Sequence, residues 1–198
     1  MRVVKDPEVR KQEILDAAIQ VFARKGYDKT SISDIAAEAN MSQGLCYRYF
    51  PSKEDIYNEA VEQYATLIAQ RNHNEYLKLV KKNNAVTLRE QIKLLCENMS
   101  IYKNAEHEDK GLYEMFHRPD GKRLHMQLSF LIMEKVIPYM EEALADAKKR
   151  GEISIDDTAA TARFMMYGQL PLIFDRNISD EKCGKKLEDI TFRLLGLS

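Results

Sequence analysis

Residues Thr30–Lys53, TSISDIAAEANMSQGLCYRYFPSK, hold two helix starts eleven residues apart, with a turn forced between them. Ser31 is a good N-cap, and Asp34 three positions on completes a capping box for a helix over 32–39. Ile35, Ala36 and Ala39 give that helix an apolar face at helical spacing. Asn40 stands where the chain must turn, and asparagine tolerates a left-handed backbone. Ser42 caps a second helix over 43–50, with Leu45, Cys46 and Phe50 as inward residues. Ser42, Gln43, Gly44, Tyr47, Arg48 and Tyr49 remain as polar or small outward groups. Two short helices at this spacing make a helix-turn-helix, a shape whose second helix can enter the DNA major groove.

The surrounding pattern extends the unit. Asp6-Pro7 reads as N-cap and first helical position, and Ile14, Leu15, Ala18, Val21 and Phe22 form an apolar stripe. Arg24-Lys25 suit the last turn, Gly26 reads as a left-handed cap, and Tyr27 can fold back on that turn. Helix one therefore spans 7–25. Ser52 with Asp55 starts a long helix to about Lys82, its face carrying Ile56, Tyr57, Ala60, Val61, Tyr64, Ala65 and Ile68. Thr87 with Glu90 starts a helix carrying Leu88, Ile92, Leu95, Met99 and Tyr102. A short helix over 112–116 follows, and then a helical stretch over 122–150 that Pro138 should kink or split. A helix over 157–175 and a last one beginning at Ser179 complete the chain. The expected fold is all-α with about nine helices: a helix-turn-helix domain over 1–52 and a helical domain over 53–198.

The stretch ILDAAIQVFARKGYDKTSISDIAAEANMSQGLCYRYFPSKEDIY resembles the N-terminal DNA-binding domain of the TetR (tetracycline repressor-like) transcriptional regulators. Ile14-Leu15, Ala17-Ala18, Phe22, Gly26-Tyr27, Thr30, Ile35-Ala36, Ser42, Gly44, Tyr47, Tyr49-Phe50 and Ser52-Lys53-Glu54 carry the resemblance without a gap. Asn40 departs from a frequent glycine, and Cys46 from a larger aliphatic residue. The resemblance implies a dimeric regulator, most simply a repressor, that binds a palindromic double-stranded DNA operator and is released by a small-molecule effector.

At the DNA-binding end, Thr30, Ser31, Tyr47, Tyr49 and Lys53 have the hydroxyls and charge that suit phosphates. Gln43 can pair with adenine and Arg48 with guanine, while Gly44 permits close approach. The resemblance implies the same roles for Ser42, Gln43, Gly44, Tyr47, Tyr49 and Lys53. Arg2, Lys5, Arg10 and Lys11 form a basic arm. Residues 1–53 hold nine Lys/Arg and seven Asp/Glu, a net of +2 in a chain whose formal net charge is −1. The sign of that asymmetry suits a DNA module.

The C-terminal part is longer than DNA binding requires. Tyr64, Met99, Tyr102, Tyr113, Met115, Phe116, Met126, Phe130, Met133, Met165, Met166 and Tyr167 form a stock of adaptable apolar side chains. Most such residues are ordinary core, but as a group they suit an apolar pocket between helices. His125, Gln127, Glu134, Arg163 and Gln169 are polar groups available to orient a ligand. By resemblance the dimer interface lies on helices 127–150 and 157–175, where Ala159, Ala162 and Gly168 permit close approach.

Other classes fare poorly. There is no GxSxG, HExxH, P-loop or GxGxxG, so no enzyme and no cofactor is expected. His107, His117 and His125 lie near Glu106, Glu108 and Glu114, at spacings that match no metal motif. Three scattered cysteines, an N-terminus without a signal peptide and no run that spans a bilayer lead to the expectation of a soluble, cytoplasmic protein without a membrane partner. The alternative from another class is a helical interaction protein that reuses the fold without sequence-specific DNA binding.

Overall fold

The computed structural model describes residues 6–99, 110–116, 122–175 and 177–197. They form nine helices of seven residues or more and one four-residue helix, with no strand among the described residues. The helices are α1 (Pro7–Lys25), α2 (Ile32–Glu38), α3 (Gln43–Tyr49), α4 (Lys53–Asn83) and α5 (Leu88–Glu97), followed by α6 (Lys110–Phe116), α7 (Lys122–Lys149), α8 (Thr158–Gly168), α9 (Leu170–Ile173) and α10 (Asp180–Leu195).

Helix starts follow the caps. The Asp6 side chain accepts from Glu8 N–H at 2.8 Å, ahead of Pro7. Capping boxes close at Ser31–Asp34 and Thr87–Glu90. At α4, Asp55 N–H donates to Ser52 Oγ at 3.1 Å. Helix ends were less predictable. Gly26 has a positive φ of 83°, but its ψ of 156° lies outside the left-handed helical region. It therefore leads the chain away extended, in a conformation that favours glycine.

α5 stops at Glu97, short of the expected Tyr102. Asn98 turns its amide onto the Leu94 carbonyl at 2.8 Å, a local bond that competes with helix continuation. The expected helix over 157–175 divides at Gln169. Pro171 has no N–H to continue the ladder and sits in the first turn of the short helix that follows. Pro138, by contrast, leaves α7 as one helix of 28 residues.

Two compact units divide the chain: residues 1–66 with 106–129, and residues 67–105 with 130–198. The sequence division at 52/53 follows the end of the helix-turn-helix, whereas the contacts divide the chain inside α4. The first unit buries Ile14, Leu15, Ala18, Val21 and Phe22 of α1, Ile35 of α2, Cys46 of α3 and Ile56 and Val61 of α4. Phe22, Tyr27 and Tyr57 form an aromatic triangle, with Tyr27 and Tyr57 centroids 4.8 Å apart. Burial raises the Tyr27 pKa, with the Glu54 and Asp28 charges adding to the effect. Tyr64 is stacked on Phe116 at 5.7 Å.

The second unit is built on Leu88, Ile92, Leu144, Ala147, Ile153, Ala162, Leu195 and Leu197. Gly184 on α10 sits where a Cβ would meet the backbone carbonyl of Cys96 on α5, so these two helices approach at backbone distance. Glu152 accepts from Leu88 N–H at 2.6 Å and so adds a second cap to the start of α5. Arg89 donates to the Leu197 carbonyl and lies over the Phe192 ring at 4.4 Å.

Candidate nucleic-acid interface and apolar cavity

The turn between α2 and α3 explains the exposure of α3. Asn40 takes φ 52°, the left-handed conformation expected of it. Asn40 N–H then donates to the Ala37 carbonyl at 3.1 Å and Met41 N–H to the Ala36 carbonyl at 2.9 Å. These two bonds close α2 as a Schellman motif. Ser42 Oγ accepts from Leu45 N–H at 3.2 Å and starts α3. Cys46 and Phe50 face inward and are buried. Ser42, Gln43, Gly44, Tyr47 and Arg48 are exposed, and Leu45 and Tyr49 are half-buried at the edge. At about 100° per residue, Gln43, Gly44, Tyr47 and Arg48 make one outward stripe. A Cβ at Gly44 would meet nothing, so that position is open to close approach from outside.

Three expected contact residues are engaged within the chain. Thr30 is buried, and its hydroxyl donates to the Gly26 carbonyl at 2.7 Å. In this structure that hydroxyl holds the loop and does not face solvent. Ser31 Oγ donates to Asp34 Oδ2 at 2.8 Å inside its capping box. Lys53 Nζ donates to the Tyr27 carbonyl at 2.7 Å and to the Asp28 carbonyl at 3.4 Å. In the basic arm, Arg2 and Lys5 lie outside the described residues. Arg10 pairs with Glu13 and Lys11 with Glu59, each at 3.0 Å.

The ionic contacts around α2 brace it against α1. Arg24 pairs with Glu38 at 2.6 Å and Lys25 with Asp34 at 2.5 Å. The Lys25 hydrogen bond, with those from the Ser31 backbone and hydroxyl, holds the Asp34 carboxyl down to about 2. Burial pushes the Cys46 thiol up, which suits packing rather than reactivity.

The second unit contains a cavity of about 370 Å³. Asn72, His73 and Tyr76 of α4 and Gln91 and Cys96 of α5 line one part. Met133, Tyr139 and Met140 of α7, Met165 and Met166 of α8, and Leu187 and Leu194 of α10 line others. Tyr76 donates to Gln91 Oε1 at 2.8 Å, and burial raises its pKa and keeps the hydroxyl protonated. His73 lies parallel to Tyr139, with centroids 3.8 Å apart. Gln169 Nε2 lies 3.4 Å from Met166 Sδ and 3.8 Å from Met133 Sδ.

Of the apolar residues expected to line a pocket, Met99, Met133, Met165 and Met166 do so. Tyr64 and Phe116 instead fill the first unit, which also contains Tyr113 and Met126. Phe130 is exposed and stacks on Tyr167 at 4.9 Å, away from the cavity lining. Tyr102 lies outside the described residues. Asn72, His73 and Tyr76 went unread in the sequence; their signal was a polar, ring-bearing i, i+1, i+4 cluster on an amphipathic helix. Of the polar candidates, Gln169 lines the cavity. Ala162 is buried in the core of its own chain and so is not free for a close approach between copies. Gly168 is exposed with open space at its Cβ.

His107, His117, Glu106 and Glu108 lie outside the described residues. Among the described residues no group of three His, Cys, Asp or Glu side chains is placed to hold a metal ion. No described helix is long and apolar enough to cross a membrane.

Residues 14–60 match the family of bacterial regulatory proteins named tetR, at its N-terminal domain. Residues 14–60 are a TetR-family N-terminal domain. Among curated relatives of this chain, the HTH-type transcriptional regulator YuxN of Bacillus subtilis is 30% identical over 142 residues, 72% of this chain and 40% of the relative. The biofilm operon icaADBC HTH-type negative transcriptional regulator IcaR of Staphylococcus epidermidis is 37% identical over 68 residues, 33% of this chain and 37% of the relative. The chain thus spans about 40% of the length of the curated relatives it matches. A solved structure from Mesorhizobium loti, described as of the TetR family, superposes with a TM-score of 0.65 at 20% identity, covering 98% of each chain, and shows the same fold.

Proposed function

We propose that this chain is a TetR-family DNA-binding transcriptional regulator, acting as a repressor, that binds a palindromic operator as a homodimer and is released by a small, largely apolar effector. The observation that carries the reading is the outward stripe of Gln43, Gly44, Tyr47 and Arg48, with its reverse side buried through Cys46 and Phe50. A helix seated in that way can present side chains and its N-terminus to a major groove. Gln43 and Arg48 read base edges, while Ser31, Ser42, Tyr47 and Tyr49 meet phosphates. Lys53 carries three N–H donors, two of them directed to loop carbonyls, and offers the third to a phosphate. The IcaR relative's description as a negative regulator supports repression.

The cavity supports an effector. The residues 1–52 serve DNA binding and residues 53–198 serve effector binding and dimerisation. Phe164 of α8 is 68% exposed, and Ile190 and Leu194 of α10 are 52% and 41% exposed. These apolar side chains favour a homodimer interface that includes the C-terminal helix, beyond the two earlier helices expected from the sequence. A two-fold dimer would present two α3 helices about 34–36 Å apart. The effector acts by binding the DNA-released state more tightly, and linkage requires that DNA weaken effector binding equally.

Titration of the chain against genomic fragments at two salt concentrations tests the reading. Specific binding that weakens with salt is expected. No specific binding with or without screened effectors would favour the interaction-protein alternative. Sedimentation at low micromolar concentration should show a dimer; a 23.0 kDa species alone would remove it.

A further inference from the structure

We infer that the cavity of the second unit takes an uncharged, flat, ring-bearing ligand that carries a hydrogen-bond donor. This deepens the effector proposal and rests on it only for the regulatory consequence. Three observations carry the chemistry. First, none of the described residues lining the cavity is Lys, Arg, Asp or Glu. The neighbouring charges Arg150 and Glu152 lie outside the lining and pair with each other at 2.5 Å. The one imidazole of the lining, His73, is stacked face to face on Tyr139, so a ligand carboxylate or ammonium would lose its hydration with no Lys, Arg, Asp or Glu to meet it.

Second, the lining is soft and aromatic. Five of the nine methionines lie there: Met99, Met133, Met140, Met165 and Met166. Thioethers favour ring edges and adapt to their outline, and the parallel His73–Tyr139 pair supplies a flat boundary. Third, Asn72 lines the cavity with its Oδ1 buried and without a hydrogen-bond partner among the described residues. A buried amide oxygen without a donor is costly, and rotation of the Asn72 side chain toward the cavity would bring Oδ1 to a ligand N–H or O–H that satisfies it. The volume of about 370 Å³ equals about a dozen waters of liquid, room for a mono- or bicyclic ring with substituents.

Calorimetric titration of the full chain with three probes of one shape tests this. Indole is neutral with a donor, benzofuran is neutral without one, and indole-2-carboxylate keeps the donor and adds a charge. Indole should bind, benzofuran about tenfold more weakly, and the carboxylate at least about 100-fold more weakly. Asn72→Leu should erase the preference for indole over benzofuran while leaving the carboxylate excluded. Carboxylate binding within tenfold of indole overturns the uncharged class, and equal binding of benzofuran overturns the donor requirement. Absence of binding by all three overturns the ring assignment. The wild-type series decides these points whether or not the variant folds. A fragment-release assay with the same probes separates the two readings. Selective binding that leaves DNA affinity unchanged would sink the effector proposal and keep the ligand class, whereas DNA release by the carboxylate would do the reverse.

Discussion

Lys53 Nζ donates to the Tyr27 carbonyl at 2.7 Å and lies 4.3 Å from the centroid of that residue's ring. One ammonium group thus ties the first residue of α4 to the loop that precedes α2. The sequence presented Lys53 as a phosphate ligand; in the fold it braces the loop that leads into α2. Lys53→Met keeps the stem and removes the donor. It should lower stability by roughly 1–2 kcal/mol, read as the urea midpoint. It should also weaken binding to all DNA sequences alike. An unchanged midpoint would remove the brace.

Gln43 and Arg48 divide from Lys53 by the kind of loss they should produce. Gln43→Ala is expected to relax preference at one operator position at a cost of about 1–3 kcal/mol. Its stability should stay within about 0.5 kcal/mol of the parent, because Gln43 is exposed. Binding-site selection on randomised duplexes checks this, and an unchanged consensus for both Gln43→Ala and Arg48→Ala would mean that the stripe is not the reading face.

Gly184 and Gly168 should respond oppositely to alanine. At Gly184 a Cβ meets the Cys96 backbone carbonyl, and no side-chain rotation can relieve it. Gly184→Ala should cost about 1–3 kcal/mol by forcing α5 and α10 apart. Gly168 has open space, so Gly168→Ala should be neutral or gain up to about 1 kcal/mol from helix propensity. Thermal midpoints of the two variants provide the comparison.

Acid should erase one contribution of the α1–α2 brace. Asp34 has its folded pKa lowered from 3.8 to about 2, first by the Lys25 hydrogen bond. A depressed carboxyl stabilises the folded state fully above its unfolded pKa and loses that effect as pH falls through its folded value. Asp34→Asn should therefore be less stable than the parent at neutral pH. The gap should narrow between pH 3.8 and about 2. The carboxyl is only half-buried, so solvent screens the pair and the difference will be small. A gap independent of pH would assign the loss to the cap geometry alone.

The thiols should be slow to react in the native protein. Cys46 is fully buried with its pKa raised, and burial, followed by the Glu188, Cys183 and Glu97 charges, pushes the Cys96 thiol up to about 12. Cys183 is buried and directed to the Leu172 carbonyl at 3.4 Å. Alkylation at pH 8 should label all three quickly only in denaturant. Rapid native labelling of Cys96 would mean that the cavity opens readily to solvent.

Sequence by itself determined the helix starts, because N-caps are local chemistry. Ser31 with Asp34, Ser42, Thr87 with Glu90 and Ser179 each cap the helix they were read to begin. It also determined the inward and outward faces of α3 and the buried stripe of α4, since periodicity is enough to separate two sides of one helix. Tertiary structure decided how polar groups are spent. Thr30 turned inward to the Gly26 carbonyl, and Lys53 reached 26 residues back to Tyr27. It also decided which methionines and aromatics share a cavity. Met99, Met133 and Met166 meet Asn72, His73 and Tyr76 there, while Tyr64 and Phe116 pack elsewhere. A one-dimensional pattern records which face of a helix is apolar; which neighbour covers that face depends on contacts between segments far apart in the chain.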